Sequence, residues 1–209
     1  MWYWIKTPLI VKKIFPNQIW SISSNKNSVY LTFDDGPTPD VTENILKILN
    51  AYGAKATFFC IGSNVKKHPD LYKKITSSGN SIGNHSMTHP MGWGKSKKVY
   101  LNDVHEAEKL INSNLFRPPY GKINFKSNKA LQQKYKIIMW DVVGGDFDEK
   151  CSKEKLISNI SENTESGSIV VLHDNVKVKD KMLTALPQII EKLQSRGFIL
   201  KAIPFNPLR

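Results

Sequence analysis

Cysteine is nearly absent from this chain: only Cys60 and Cys151 occur, with no Cys-x-x-Cys pair. That excludes a disulfide framework and a cysteine-based zinc or redox motif. Cys60 follows Thr57-Phe58-Phe59 in an apolar run, the setting of a packed thiol. Long apolar stretches are missing too. The amino-terminal MWYWIKTPLIVKKIF is broken by Lys6 and Pro8, short of the ~20 residues that span a bilayer. It also lacks the basic start, long apolar centre and small-residue cleavage site of a secretory signal. The expectation for location is therefore the cytoplasm, with association with the cell surface as the alternative. No pattern specifies an oligomeric state.

Acidic residues are scarce: 18 Asp and Glu against 30 Lys and Arg give a net charge of +12. The lysines are scattered singly or in pairs (Lys12-Lys13, Lys66-Lys67, Lys73-Lys74, Lys97-Lys98). Without a dense basic tract or a recognisable motif, no specific nucleic-acid partner is expected. The excess reads as a solvated Lys-rich surface that favours encounters with anionic glycans or phospholipid. Residues 1–28 form a separate amino-terminal segment. Either it packs Trp2, Trp4, Ile5, Leu9 and Ile10 on the domain, or it lies as a basic amphipathic piece on a membrane surface.

What is present is a regular alternation. The 209 residues, 40% hydrophobic and 10% aromatic, suit one globular domain. There is no repeat and no low-complexity stretch. Val29–Phe33, Ala56–Ile61, Ile137–Trp140 and Ser168–Leu172 are apolar runs of strand length, and 80–84 is a short strand or turn. Helical stripes cover about 38–51, 70–77, 97–112 (Val104, Ala107, Leu110 and Ile111 inward) and 185–196, with Gly53, Gly79 and Gly197 as stops. Strand alternating with helix implies a parallel sheet covered by helices, able to close into a barrel.

The polar residues fall at the strand ends. Asp34-Asp35, His85, Asp146 and His173-Asp174 each follow, or lie close to, an apolar run. Carboxyl ends of parallel strands carry active sites, so these side chains should converge. His85 and His89, four residues apart, face the same way on a helical turn and could share a metal. A carboxylate from another strand end, Asp35, completes a set that leaves positions open for water. Asp34 is then the candidate base for that water, provided a turn brings two consecutive acids into one pocket. His173 is the candidate acid for a departing amine, oriented by Asp146 or Asp174. Arg117, before Pro118-Pro119-Tyr120-Gly121, could pair with Asp34; a surface ion pair is the alternative. His68 and His105 read as surface residues.

Thr32-Phe33-Asp34-Asp35-Gly36-Pro37, His85-Ser86-x-x-His89, Phe116-Arg117-Pro118-Pro119-Tyr120-Gly121 and Val171-Leu172-His173-Asp174 resemble, in order, the motifs of polysaccharide deacetylases. These form carbohydrate esterase family four, which includes chitin and peptidoglycan deacetylases. The resemblance spans about Val29 to Phe198 and makes 29–209 the catalytic domain. It implies an irregular parallel (β/α) barrel and a hydrolase that removes acetyl groups from N-acetylglucosamine-type units of an oligo- or polysaccharide. It also implies Asp34 as base, Asp35, His85 and His89 as ligands of zinc (or cobalt or nickel), and Arg117 as the residue positioning the base. The Tyr120 backbone N–H would help hold the oxyanion, His173 would be the acid, and Leu172 would line a pocket for the acetyl methyl.

One motif departs. The family's fourth motif resembles Asp-x-x-Asp-Trp after a strand Trp. Here, in Trp140-Asp141-Val142-Val143-Gly144-Gly145-Asp146-Phe147, Val143 replaces the first acid and Phe147 the final Trp. Asp146 remains to polarise His173, and Phe147 remains as a smaller wall against the sugar; Asp148 reads as exposed. Four other readings stand beside the deacetylase: a non-catalytic glycan-binding module on this fold, an esterase for O-acetylated polysaccharide, a polyanion binder, and a non-haem iron oxygenase using the same two histidines and carboxylate.

Overall fold

The computed structural model describes residues 3–23 and 27–208. Trp2 of the expected amino-terminal packing lies outside the described residues. After helix α1 (Leu9–Ile14), the strands are β1 (Ser28–Asp34), β2 (Ala56–Cys60), β3 (Ser81–Asn84), β4 (Leu115–Phe116), β5 (Lys136–Ile137), β6 (Val142–Val143), β7 (Ile169–His173) and β8 (Ile199–Leu200). Between them run α2 (Thr42–Ala51), α3 (Gly62–Lys67), α4 (Pro69–Ser77), α5 (Lys97–Glu108), α6 (Phe125–Leu131), α7 (Lys153–Asn163) and α8 (Lys179–Ser195). The sheet order is β5-β4-β3-β2-β1-β7-β6, with β8 beside the start of β1, and each of these pairings is parallel. The result is a curled parallel sheet with helices outside it, the irregular (β/α) barrel expected.

Strand alternation sorts the side chains into two environments. Val29, Leu31 and Phe33 of β1, with Val170 and Leu172 of β7, pack into the outer core with Ile45, Leu49, Ile160, Leu186 and Ile190 of the helices. Tyr30 of β1, Phe59 of β2 and Ile169 of β7 meet Leu115, Ile138 and Ile203 in a second cluster. On that inner face Thr32 and Asp34 follow Tyr30, and Val171 and His173 follow Ile169. The inner side chains therefore become more polar toward the carboxyl ends of the strands.

The sheet does not close through its own edge strands. Residues 19–22 bridge the open side: Ile19 pairs parallel with Ile138, Ser21 pairs antiparallel with Ser168, and the Ile22 N–H donates to the Gly167 carbonyl. Farther toward the amino terminus, Lys6 pairs antiparallel with Val142 on edge strand β6. The Val143 N–H donates to the Ile5 carbonyl and the Thr7 N–H to the Asp141 carbonyl, each at 2.8 Å. Lys6 and Lys12 both reach the buried Asp141 carboxylate, at 2.8 and 2.5 Å. An edge that would otherwise offer unpaired backbone is thus covered.

The amino-terminal segment therefore packs by its backbone and lysines, while Leu9 and Ile10, two of the apolar residues expected to anchor it, face solvent. Leu9 and Ile10 are 72% and 63% exposed, Trp4 is half exposed, and Ile5 is only partly buried. Among the described residues, no helix is long and apolar enough to cross a membrane.

Other expectations shift at element ends. α5 stops at Glu108, so Leu110 lies beyond it on the surface while Ile111 is buried. α8 begins at Lys179 and continues through Pro187. Burial of Met182, Leu186, Ile189 and Ile190 outweighs the ~3 kcal/mol that an interior proline costs. α7 is a further helix: Ser152 caps it by accepting from the Lys155 N–H, and Leu156, Ile157 and Ile160 form its buried face. His105 is exposed and His68 partly so.

Candidate active site

Asp34 ends β1 on the inner face, and the chain turns at once. Asp35 adopts φ +84°, in the left-handed region rarely taken by a non-glycine residue, and so brings its carboxylate beside that of Asp34. The turn is held from below. Asp174 accepts from the Gly36 N–H at 2.8 Å and from the Thr42 hydroxyl at 2.5 Å, and Asn64 donates to the Asp35 carbonyl. A side chain at position 36 would meet the Asp174 carboxylate at 2.0 Å, so only glycine fits there. Asp174 thus serves the turn and leaves His173 to Asp146. Burial, with Asp35 and Asp34 nearby, pushes the Asp174 carboxyl up to about 7 against its two hydrogen bonds.

His85 follows β3. Its Nδ1 lies 2.8 Å from the Arg117 carbonyl, which fixes the proton on Nδ1 and leaves the Nε2 lone pair facing inward. His89 reaches the same spot by a route other than the expected helical turn. Ser86 and His89 have φ +67° and +58°, and the loop folds back so that the two rings lie 4.9 Å apart. Asp103 of α5 pins this loop by accepting from the Met87 and Thr88 N–H groups and the Thr88 hydroxyl. Asp35 Oδ1 is 3.7 Å from His85 Nε2 and 3.3 Å from His89 Nε2. One ligand atom from each of Asp35, His85 and His89 falls within 4.8 Å of the others, a spacing and donor set that suit a divalent cation. Asn175 donates to Asp35 Oδ2 at 2.8 Å. Burial works against the charge on Asp35, yet His173, His85, His89 and Asn175 hold its carboxyl below the usual carboxylate range. Burial and the adjacent His85 lower the His89 imidazole, which keeps it neutral and able to ligate.

Arg117 is wholly buried, so it is no surface ion pair. Its Nη1 donates to Asp34 Oδ1 at 2.7 Å and to the Thr32 hydroxyl at 2.6 Å, while Nε and Nη2 hold the Ile138 and Met139 carbonyls. The guanidinium also lies 4.1 Å from the centre of the Phe59 ring. Asp34 therefore presents Oδ2 to the site, 4.0 Å from His85 Nε2.

His173 is the register partner of Asp34 on the adjacent strand. Asp146 accepts from its Nδ1 at 3.0 Å and from its backbone N–H at 2.7 Å. Burial disfavours the imidazolium, but Asp146 first, then Asp35 and Asp34, push its pKa up to about 10. Nδ1 is committed to Asp146, so Nε2 is the nitrogen left to deliver a proton.

The remaining sequence candidates divide. Tyr120, with φ +59°, is half exposed and sets its ring 4.6 Å from that of His89. Phe147 packs its ring edge-on to His173 at 5.5 Å. Leu172 does not reach the site. It has no exposed surface and packs into the outer core, because neighbouring residues of a strand point to opposite faces. Val171, two residues before His173, is the apolar residue on the acid's own face.

Tyr3 adds a residue that no motif marks. It packs edge-on to Phe147 at 5.0 Å, and its hydroxyl lies where a side chain at Gly145 would fall, 2.5 Å away. Burial, with Cys151 and Asp148, pushes its phenol up to about 12. Asp148 is accordingly half-buried against Tyr3 and the Lys150 N–H, and not exposed. The amino-terminal segment thus backs the altered fourth motif. Asn175 stands directly after a recognised motif and could have been suspected; Asp103 and Tyr3 carry no sequence signal.

An Asp-His-His set that could hold a cation, flanked by an arginine-held carboxylate and a carboxylate-held histidine, is an arrangement suited to hydrolysis. The polysaccharide deacetylase family model matches residues 21–137, and the chain belongs to that family. It is 34% identical over 188 residues to a peptidoglycan-N-acetylglucosamine deacetylase of Bacillus cereus, covering 86% of this chain and 87% of the relative. It is 33% identical to a chitooligosaccharide deacetylase of Azorhizobium caulinodans, covering 88% and 96%. Among solved structures, a peptidoglycan N-acetylglucosamine deacetylase in complex with an N-hydroxybenzamide superposes with a TM-score of 0.87 at 30% identity, covering 95% of each chain.

Proposed function

We propose that this chain is a metal-dependent amide hydrolase that removes acetyl groups from N-acetylglucosamine-type units of a glycan. The observation that carries this reading is that Asp34, held by Arg117, and His173, held by Asp146, flank one Asp35-His85-His89 set. Zinc suits two imidazoles and a carboxylate, and cobalt or nickel are alternatives. When bound, the cation polarises the amide carbonyl and lowers the pKa of a water to ~7.

The chain's own residues supply the proton transfers. Asp34 Oδ2 takes a proton from the water as its oxygen attacks the carbonyl carbon. Arg117 keeps the other carboxylate oxygen occupied, so the acceptor is aimed. As the carbon–nitrogen bond breaks, His173 Nε2 gives its proton to the departing amine, and acetate and a free amino sugar leave. The Tyr120 backbone N–H would share the oxyanion's charge, the Tyr120 and Phe147 rings would wall the sugar, and Val171 would meet the acetyl methyl. Two relatives are named for deacetylating N-acetylglucosamine-containing polymers, which favours an N-acetyl over an O-acetyl substrate. Acetate release from N-acetylglucosamine oligosaccharides, followed with metal analysis, tests the reading. Asp34→Asn and His173→Ala should each cut the rate at least a hundredfold while retaining the metal. Full activity in either variant would refute the assigned roles, and a native protein that binds glycan without releasing acetate would be a non-catalytic module.

A further inference from the structure

Beyond the catalytic centre, the loops carrying His89 and Tyr120 run outward together. The Gly92 N–H donates to the Lys122 carbonyl, and the Asn124 amide reaches back to the Gly92 and Lys95 carbonyls. Trp93 is anchored through its indole N–H to the Ile123 carbonyl at 3.2 Å, yet 59% of its surface is exposed. Lys122 Nζ sits 5.3 Å from that ring's centre. Next comes an open groove of about 460 Å³ between α5 and α6, lined by Lys97, Phe125, Lys126 and Lys129 among others, with Phe125 79% exposed.

The acids nearby are already engaged. Asp103 holds the Met87-Thr88 loop, Glu106 pairs with Lys109, and Glu108 pairs with Lys134. Among the described residues Lys97, Lys122, Lys126 and Lys129 have no acidic side chain within ion-pair distance. Four ammonium groups without an acidic partner give this face a positive potential that attracts anions. Interleaved flat aromatic faces suit the apolar faces of sugar rings.

We propose that this face is an extended subsite for an anionic glycan strand, with Trp93 and Phe125 under the sugars and the four lysines on carboxylates of the polymer. The proposal rests on the deacetylase reading for its position beside the catalytic mouth, and it narrows the substrate class to acidic over neutral acetylated glycans. Titration calorimetry with two hexasaccharides tests it: a hyaluronan fragment, which alternates N-acetylglucosamine with a uronic acid, and neutral chitohexaose. The hyaluronan fragment should bind at least tenfold tighter in low salt, and the advantage should vanish at high ionic strength. Replacing Lys97, Lys126 and Lys129 with Ala should erase the preference, while Arg at the same positions should keep it. Equal binding of the two sugars, or a preference untouched by the triple Ala variant, would overturn the proposal. Acetate release from chitohexaose reports on the deacetylase reading separately, since binding needs no turnover.

Discussion

At the scale of single residues, the site depends on who holds whom. His173 owes its proton to Asp146, and the sign of the effect is clear. The folded-state pKa of about 10 lies above the ~6.5 of a free imidazole. The pair therefore stabilises the fold fully below ~6.5 and loses that contribution as pH rises through about 10. Asp146→Asn should move the alkaline limb of kcat downward by about a unit or more, as a pH–rate profile would show. Arg117 has the opposite vulnerability. Truncating it to Ala leaves Asp34 buried without its counter-charge, an arrangement that costs about 3–5 kcal/mol and is measurable by urea unfolding. Lys should rescue it poorly, because one ammonium cannot replace four guanidinium hydrogen bonds. The side chains that meet here were largely legible because they stand in short motifs at strand ends. Leu172 was misplaced because a motif read as a string does not say which face each residue takes. Asp103 and Tyr3 were invisible because they act through contacts distant in sequence.

Among the elements, those buried on one face could be read and those held by other means could not. β1, β2, β7 and α2 show their periodicity openly. α1 fully buries none of its residues; it is held by the partly buried Val11 against the core and by Lys12 on Asp141. That carboxylate is almost wholly enclosed and also accepts from the Ser168 hydroxyl at 2.5 Å. Lys12 and Lys6, 129 and 135 positions before it, hold its carboxyl below the usual carboxylate range against the effect of burial. Asp141→Ala should loosen the whole amino-terminal segment and destabilise the protein by about 2–3 kcal/mol, less than a fully buried pair because the lysines are partly solvated. Differential hydrogen exchange across residues 3–22 and β6 would report it.

For the whole molecule, a parallel sheet gathers its strand ends into one place, and Asp35, His85 and His89 are already grouped there, their ligand atoms within 4.8 Å of one another. These residues come from two strand ends braced by α5, Arg117 and Asn175, so little should move on binding. A cation at a hundred times its Kd should then raise the unfolding free energy by about 2.7 kcal/mol. For a chain of this size that is roughly 5–10 °C in Tm. Thermal scans with zinc and with chelator would measure it, and an unchanged Tm would count against an assembled site.

The segment that covers edge strand β6 also bears on how the chain folds. Lys6 is hydrogen-bonded to Asp141, 135 positions away, and to Asn163, 157 positions away. Contacts so distant along the chain repay their loop-closure entropy only after the rest of the barrel stands. The seam should therefore form after the rate-limiting barrier. Interactions absent at that barrier leave the folding rate unaltered and act on the unfolding rate. In that sense the amino-terminal segment works as a latch, governing how long the assembled barrel lasts more than how fast it forms.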